Sequence, residues 1–285
     1  MVAVGAVAVV ALAGTLAVRA LGGPVVITER CTAVADGQEH SLSPEQASNA
    51  ATITAIAVRR GLPARAATIG IATAIQESKL TNIDYGDRDS LGLFQQRPSQ
   101  GWGTQEQIMD PVYATNAFYD VLVEIEGYEA LEITDAAQRV QRSGFPTAYS
   151  DHEPEGRAFA SALTGYSPAD LTCRLRATED LPAEQVAPNG VTPRAQEVLD
   201  AGETAFGDLD AVPGQDAGAA LAITTGDGEG GTRRGWALAH WAVASADALD
   251  VVRVSVDGRQ WQRSEPDAGW TEADGPSRQV LVEVA

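Results

Sequence analysis

From Ser43 to Ser78 the chain is punctuated for two consecutive helices, and the second of them ends in a carboxylate. Ser43-Pro44-Glu45-Gln46 is a helix start: Ser43 can cap, Pro44 suits the first turn, and Gln46 stands at the capping-box position. The helix it opens carries Ile53, Ile56, Ala57 and Arg60; Gly61 suits the residue after a helix, and Pro63 can open the next. That next helix is rich in Ala and Ile, runs through Ile69-Gly70-Ile71-Ala72-Thr73-Ala74-Ile75-Gln76 and reaches Glu77-Ser78. An acid that donates to the leaving oxygen of a glycosidic bond must stay protonated near neutral pH, and a Glu in an apolar wall at a helix end meets that need. Glu77 is therefore a candidate general acid; the plainer alternative is an exposed helix-end carboxylate.

A polar loop follows from Thr81 to Ser90, then Gly92-Leu93-Phe94-Gln95, then a Pro/Gly/Gln-rich stretch up to Asp110. Asp110-Pro111 caps a helix carrying Tyr113, Phe118, Leu122 and Ile125, and further helices are predicted near Thr134–Ser143 and Pro154–Leu163. Nothing alternates for long, so 43–175 is predicted to be a mainly α domain. Residues 176–191 turn acidic and Pro/Ala-rich and read as a linker. The segment 192–285 reads as a small α+β domain. Thr192-Pro193 starts a helix that Gly207 ends, Gly218–Thr224 is a strand, and Gly235–Leu249 is a helix with Trp236, His240 and Val243 on one face. Val251–Val256, Asp257-Gly258 and Arg259–Gln262 make a hairpin, and Val280–Val284 is a last strand.

The 285 residues suffice for two modest domains. A formal charge of −19 argues against a nucleic-acid partner, since phosphate contacts need clustered Lys and Arg, and against attraction to an anionic membrane surface. Lys79 is the sole lysine, a bias expected of a GC-rich bacterial genome. The apolar run Val2–Val18 makes 1–23 a signal peptide or membrane anchor, although no basic segment precedes it, and 24–42 reads as an exposed tether. Cys31 and Cys173 are the two cysteines. Outside the membrane they most simply form one disulfide, with two buried thiols as the alternative. The residues before Cys31 do not resemble a lipoprotein signal. The expected location is extracytoplasmic: membrane-anchored, or secreted into the cell wall.

Glu77-Ser78, a loop, and then Gly92-Leu93-Phe94-Gln95 resemble the Glu-Ser and Gly-Leu-Met-Gln motifs of soluble lytic transglycosylases and goose-type lysozymes, within the lysozyme-like superfamily; Gly86-Asp87-Arg88 is similar to the goose-type loop. The likeness spans roughly Ser43 to Cys173 and is strongest from Ala72 to Gln95. The resemblance implies cleavage of peptidoglycan glycan strands, with Glu77 as acid and Asp87 orienting water. It implies that Ser78 supports the loop and that Gln95, with the backbone at Leu93 and Phe94, lines a sugar groove. A second acid expected soon after the Gln is replaced by Arg97, which favours transglycosylation over direct water attack. Tyr149 is placed at the family's late Tyr motif, without its usual neighbours. Trp102 suits sugar stacking or packing. Asp84, Asp87 and Asp89 also suit a turn. A binding or scaffold protein that keeps the groove without turnover is the rival reading.

The C-terminal part, through Gly218-Ala219-Ala220, its Trp-rich helix, Trp261, Trp270 and the final strand, resembles zinc D-Ala-D-Ala peptidases. Gln215 and Ala222, then Gln279 and Leu281, fall where zinc ligands are expected. His40, His152 and His240 share no ligand spacing. No metal, cofactor or peptidase activity is therefore expected; the expected partners are peptidoglycan strands, and a membrane if the N-terminal segment stays.

Overall fold

The computed structural model describes residues 27–144, 147–178, 181–215, 218–275 and 278–285. The apolar run expected to be a signal or anchor, and Phe145-Pro146 ahead of Tyr149, lie outside them. Among the described residues no helix is long and apolar enough to cross a membrane.

The expectation of a mainly α domain followed by a small α+β domain is corrected by two antiparallel sheets, of three and six strands, interleaved with the helices. The fold is mixed, and the first half carries its own sheet. The stretch read as a tether forms a hairpin of β1 (Arg30–Ala35) and β2 (Gln38–Leu42). Asp36 and Gly37 turn it, with φ of 52° and 72°, both in the left-handed region that two-residue hairpin loops require. A third strand, β3 (Leu171–Arg174), pairs on the other side of β1 and sets Cys173 directly opposite Cys31. The two cysteines form the disulfide.

Between β2 and β3 lie α1 (Pro44–Arg59), α2 (Ala64–Ser78), α3 (Gln105–Ile108), α4 (Pro111–Val123), α5 (Ile133–Gln141) and α6 (Glu153–Leu163). The Ser43 capping box is formed in both directions, Gln46 N–H to Ser43 Oγ and Ser43 N–H to Gln46 Oε1. Helix α2 is buried around nearly its whole circumference, so it must sit at the centre, and α1, α4, α5 and α6 pack around it. Its small side chains allow these neighbours to come close. The Tyr119 ring of α4 is fully buried, and its hydroxyl donates to Ile53 O of α1 at 3.0 Å.

The second half contains α7 (Pro193–Phe206), β4 (Ala211–Pro213), β5 (Ala220–Thr224), α8 (Gly228–Ala244), β6 (Val251–Val256), β7 (Arg259–Gln262), β8 (Trp270–Glu272) and β9 (Gln279–Val284). The strand order is β4-β5-β9-β6-β7-β8. Alternation turns Val280, Val282 and Val284 inward, on the side where α8 packs. The other side of α8 packs on α1, α6 and β3, so a single apolar core runs through both halves. Two indoles fasten the larger sheet to β3: Trp261 Nε1 donates to Cys173 O at 3.0 Å and Trp270 Nε1 to Leu171 O at 2.7 Å.

His240 of α8 lies in this junction, fully buried in a cluster with the rings of Trp236 and Trp270, which also touch each other, and its Nδ1 is 2.7 Å from Ala162 O. Burial pulls its pKa down to about 4, against the opposing hydrogen bond to Ala162. The unfolded chain therefore binds the proton first as pH falls below the ordinary histidine value of about 6.5. Stability from a neutral His240 is complete above that value and is lost as pH falls through the folded pKa, by about 3 kcal/mol at pH 4. Urea unfolding at pH 7 and pH 4 should show a smaller loss for His240→Phe than for the parent. Equal losses would mean that this imidazole does not couple to folding.

Candidate functional site

The end of α2 is bent sharply by two residues, Lys79 and Leu80, both at φ 56°. Leu80 drops into the core, and α1 holds the two carbonyls the turn exposes: Gln46 Nε2 donates to Lys79 O at 2.7 Å and Asn49 Nδ2 to Leu80 O at 2.8 Å. Gln46 thus caps α1 and braces the end of α2. Only its first task has a local sequence signal.

Glu77 is half-buried at this braced end. Its Oε1 accepts a hydrogen bond of 2.7 Å from the hydroxyl of Tyr149, which stands on a 3-10 turn (Ala148–His152) with its ring fully buried. Burial pushes the Tyr149 phenol well above its ordinary pKa; a hydrogen bond with Ser143 opposes the rise, and Glu77 adds to it. Tyr149 is thus an O–H donor throughout the working pH range. On the preceding residue, Gln76 Oε1 lies 3.0 Å from His152 Nε2. Nearby, burial raises the pKa of Glu155 while His40 and His152 lower it. Sequence spacing did not connect His152 to Gln76, because the link runs through the packing of the 3-10 turn on α2.

Ser78 is buried, and its hydroxyl donates to Leu93 O at 2.8 Å, with Ala74 O at 3.1 Å. This ties the Glu77 helix end to the turn Leu91–Gln96, which is closed by paired Leu91 and Gln96 backbones. Gly92 is required there: its φ is +74°, and a Cβ would lie 2.7 Å from Ile108 O. The side chains of Leu93 and Phe94 point into the core, and Phe94 stacks on Phe118 at 4.6 Å. Their carbonyls are taken by Ser78 and by Gln141 Nε2, the latter at 2.7 Å. Both residues shape the turn, and a groove would meet their backbone.

Gln95 turns outward at φ 48°, and its amide donates to Tyr85 O and Gly92 O, both at 3.3 Å. It closes over Gly86, where a Cβ would fall 2.0 Å from Gln95 Oε1. Asp89 fastens the other end of the same loop, accepting from Ser99 N and Arg97 Nε at 2.8 Å each. These bonds, Ser99 first and then Arg97, hold the Asp89 carboxyl far below its ordinary pKa. Arg97, standing where a second acid was expected, is thus paired with Asp89. Asp87 points to solvent with its side chain 92% exposed, 3.9 Å from Arg88. Asp84 is exposed, and Trp102 is half-buried against the core. The structure therefore gathers Glu77, Ser78, Tyr149 and the Leu93 carbonyl around one helix end, with Phe94 and Gln95 further along the turn fastened there, and leaves the Asp87 carboxylate in solvent.

On the open face of the larger sheet, Gln215, Ala222, Gln279 and Leu281 line one cavity of about 670 Å³, beside an Arg253–Glu283 ion pair of 2.9 Å. Two amides, a methyl and an isobutyl group are not a zinc donor set, so these residues do not fit that ion. No family model matches the chain, and no curated protein matches it in sequence.

Proposed function

We propose that the Glu77 region is a peptidoglycan-cleaving glycosidase of the lytic transglycosylase type, working outside the cytoplasm. The observation that carries this reading is the 2.7 Å Tyr149–Glu77 hydrogen bond at a braced helix end that Ser78 locks to the Gly92–Gln95 turn. Tyr149 occupies Oε1, which leaves Oε2 as the atom to carry and deliver a proton. Glu77 protonates the glycosidic oxygen as the bond from the muramic acid C1 breaks. The C6 hydroxyl of the same sugar then attacks C1, and its proton returns to the Glu77 carboxylate. The product is a 1,6-anhydro ring, and no water is consumed. The solvent-facing Asp87 and the Arg97–Asp89 pair favour this route over water attack, because neither offers a carboxylate aimed at a bound water. The disulfide supports an oxidising compartment. With a charge of −19 on a protein meeting an anionic wall, affinity rests on groove contacts.

The test is to incubate the protein, and a Glu77→Gln twin, with purified peptidoglycan and read the soluble products by mass spectrometry. Anhydro-muropeptides from the parent alone are expected. Reducing-end products would make it a hydrolase. No products from either, with both proteins pelleting with the wall, would replace the reading with a non-catalytic binder.

A further inference from the structure

Tyr85 is the most exposed of the large apolar side chains among the described residues, at 69%. Single exposed aromatics are ordinary on protein surfaces. This one differs in how its backbone is held. Gln95, the outward residue of the turn beside Glu77, donates to the Tyr85 carbonyl. The next residue, Gly86, is pressed under the Gln95 side chain, and four residues on Asp89 is pinned to Arg97 and Ser99. A loop held at both ends, and tied through Gln95 to the turn that Ser78 locks to the Glu77 helix end, thus presents a bare phenol ring to solvent, while the aromatic rings of Phe94, Phe118 and Tyr149 are all buried.

We propose that Tyr85 is a sugar-stacking platform that holds the glycan strand beside Glu77, away from the bond being cut. The proposal rests on the glycosidase reading above. A rigid aromatic face suits the apolar C–H face of a pyranose, and ordering it in advance lowers the entropy lost on binding. It needs no charge, which fits a protein whose net charge repels an anionic polymer. Since the ring touches substrate but no reacting atom, its contribution is equal in the bound and transition states. Its loss therefore raises KM and leaves kcat in place.

The experiment measures kcat and KM on soluble, uncross-linked glycan strands for the parent, Tyr85→Ala, Tyr85→Phe and Tyr85→Trp. Expected for Tyr85→Ala is a rise in KM of about 3- to 10-fold with kcat unchanged, and near-parent values for Phe and Trp. Because the ring is exposed, thermal unfolding of Tyr85→Ala should match the parent. A parent that cleaves strands alongside an equally good Tyr85→Ala overturns the platform and leaves the glycosidase reading intact. A fall in kcat alone, or failure of Phe and Trp to restore KM, also overturns it. A parent that neither cleaves nor binds strands defeats the glycosidase reading, and the platform with it.

Discussion

Replacing Cys31 and Cys173 together by serine is expected to lower the free energy of unfolding by about 2–5 kcal/mol. The bond joins residues 142 positions apart. In the chain-entropy view, a loop of that length puts the effect near the upper end of the range, about 5 kcal/mol. The two cysteines are direct neighbours across β1 and β3, both buried, so serine also leaves two hydroxyls in an apolar site. The consequence reaches the second half, because Trp261 and Trp270 donate to carbonyls of the strand that the disulfide holds. Urea unfolding of the parent with and without reductant, beside the double serine variant, checks this. A loss below about 0.5 kcal/mol would show that the hairpin and β3 pair equally well without the bond.

Glu77→Gln should cut kcat on glycan strands by about 10²–10⁴-fold, the usual contribution of a positioned general acid. Gln keeps the shape and can still accept from Tyr149, so a fall of that size reports the missing proton and not a collapsed site. Tyr149→Phe should cost less. A hydrogen bond to a charged group contributes about 1.5–3 kcal/mol, which bounds its effect at about 10- to 150-fold in kcat. The two changes act on one unit, so Tyr149→Phe added to Glu77→Gln should bring little further loss. Full additivity would mean that Tyr149 works independently of Glu77.

Helix boundaries were legible where a side chain announces them. Ser43, Asp110 and Thr192 cap their helices as read, each followed by Pro. The hairpin at Asp257-Gly258 was equally plain, because Val251–Val256 is strongly β-forming. Asp36-Gly37 carries the same turn signal, yet its flanking strands are short and half polar, and β3 begins at Leu171, 134 residues after Gly37. Such pairing has no local signature, and a mainly α domain was expected in its place. Helix α8 begins at Gly228, seven residues before the expected Gly235, through a glycine-rich and mostly exposed stretch whose weak helix propensity gave no signal. In the site, Glu77 could be singled out from its apolar helix end, and Ser78 and the Gly92–Gln95 turn through the motifs they resemble. Which side chains face outward could not: Leu93 and Phe94 turn into the core, and Tyr85, left unremarked in the sequence, turns out.

The small sheet also decides where a mechanical load would travel. The polypeptide enters the Glu77 region through β1 and leaves it through β3, adjacent strands joined by a covalent bond. A pull applied between the chain on either side is carried across that staple. The 141 intervening residues, with α2 among them, stay slack. A chain stretched between two attachment points would keep the Glu77 helix end unstrained for as long as the sulfurs stay joined. Reduction would turn the same pull into shear between two short strands and pass it into the helices beyond.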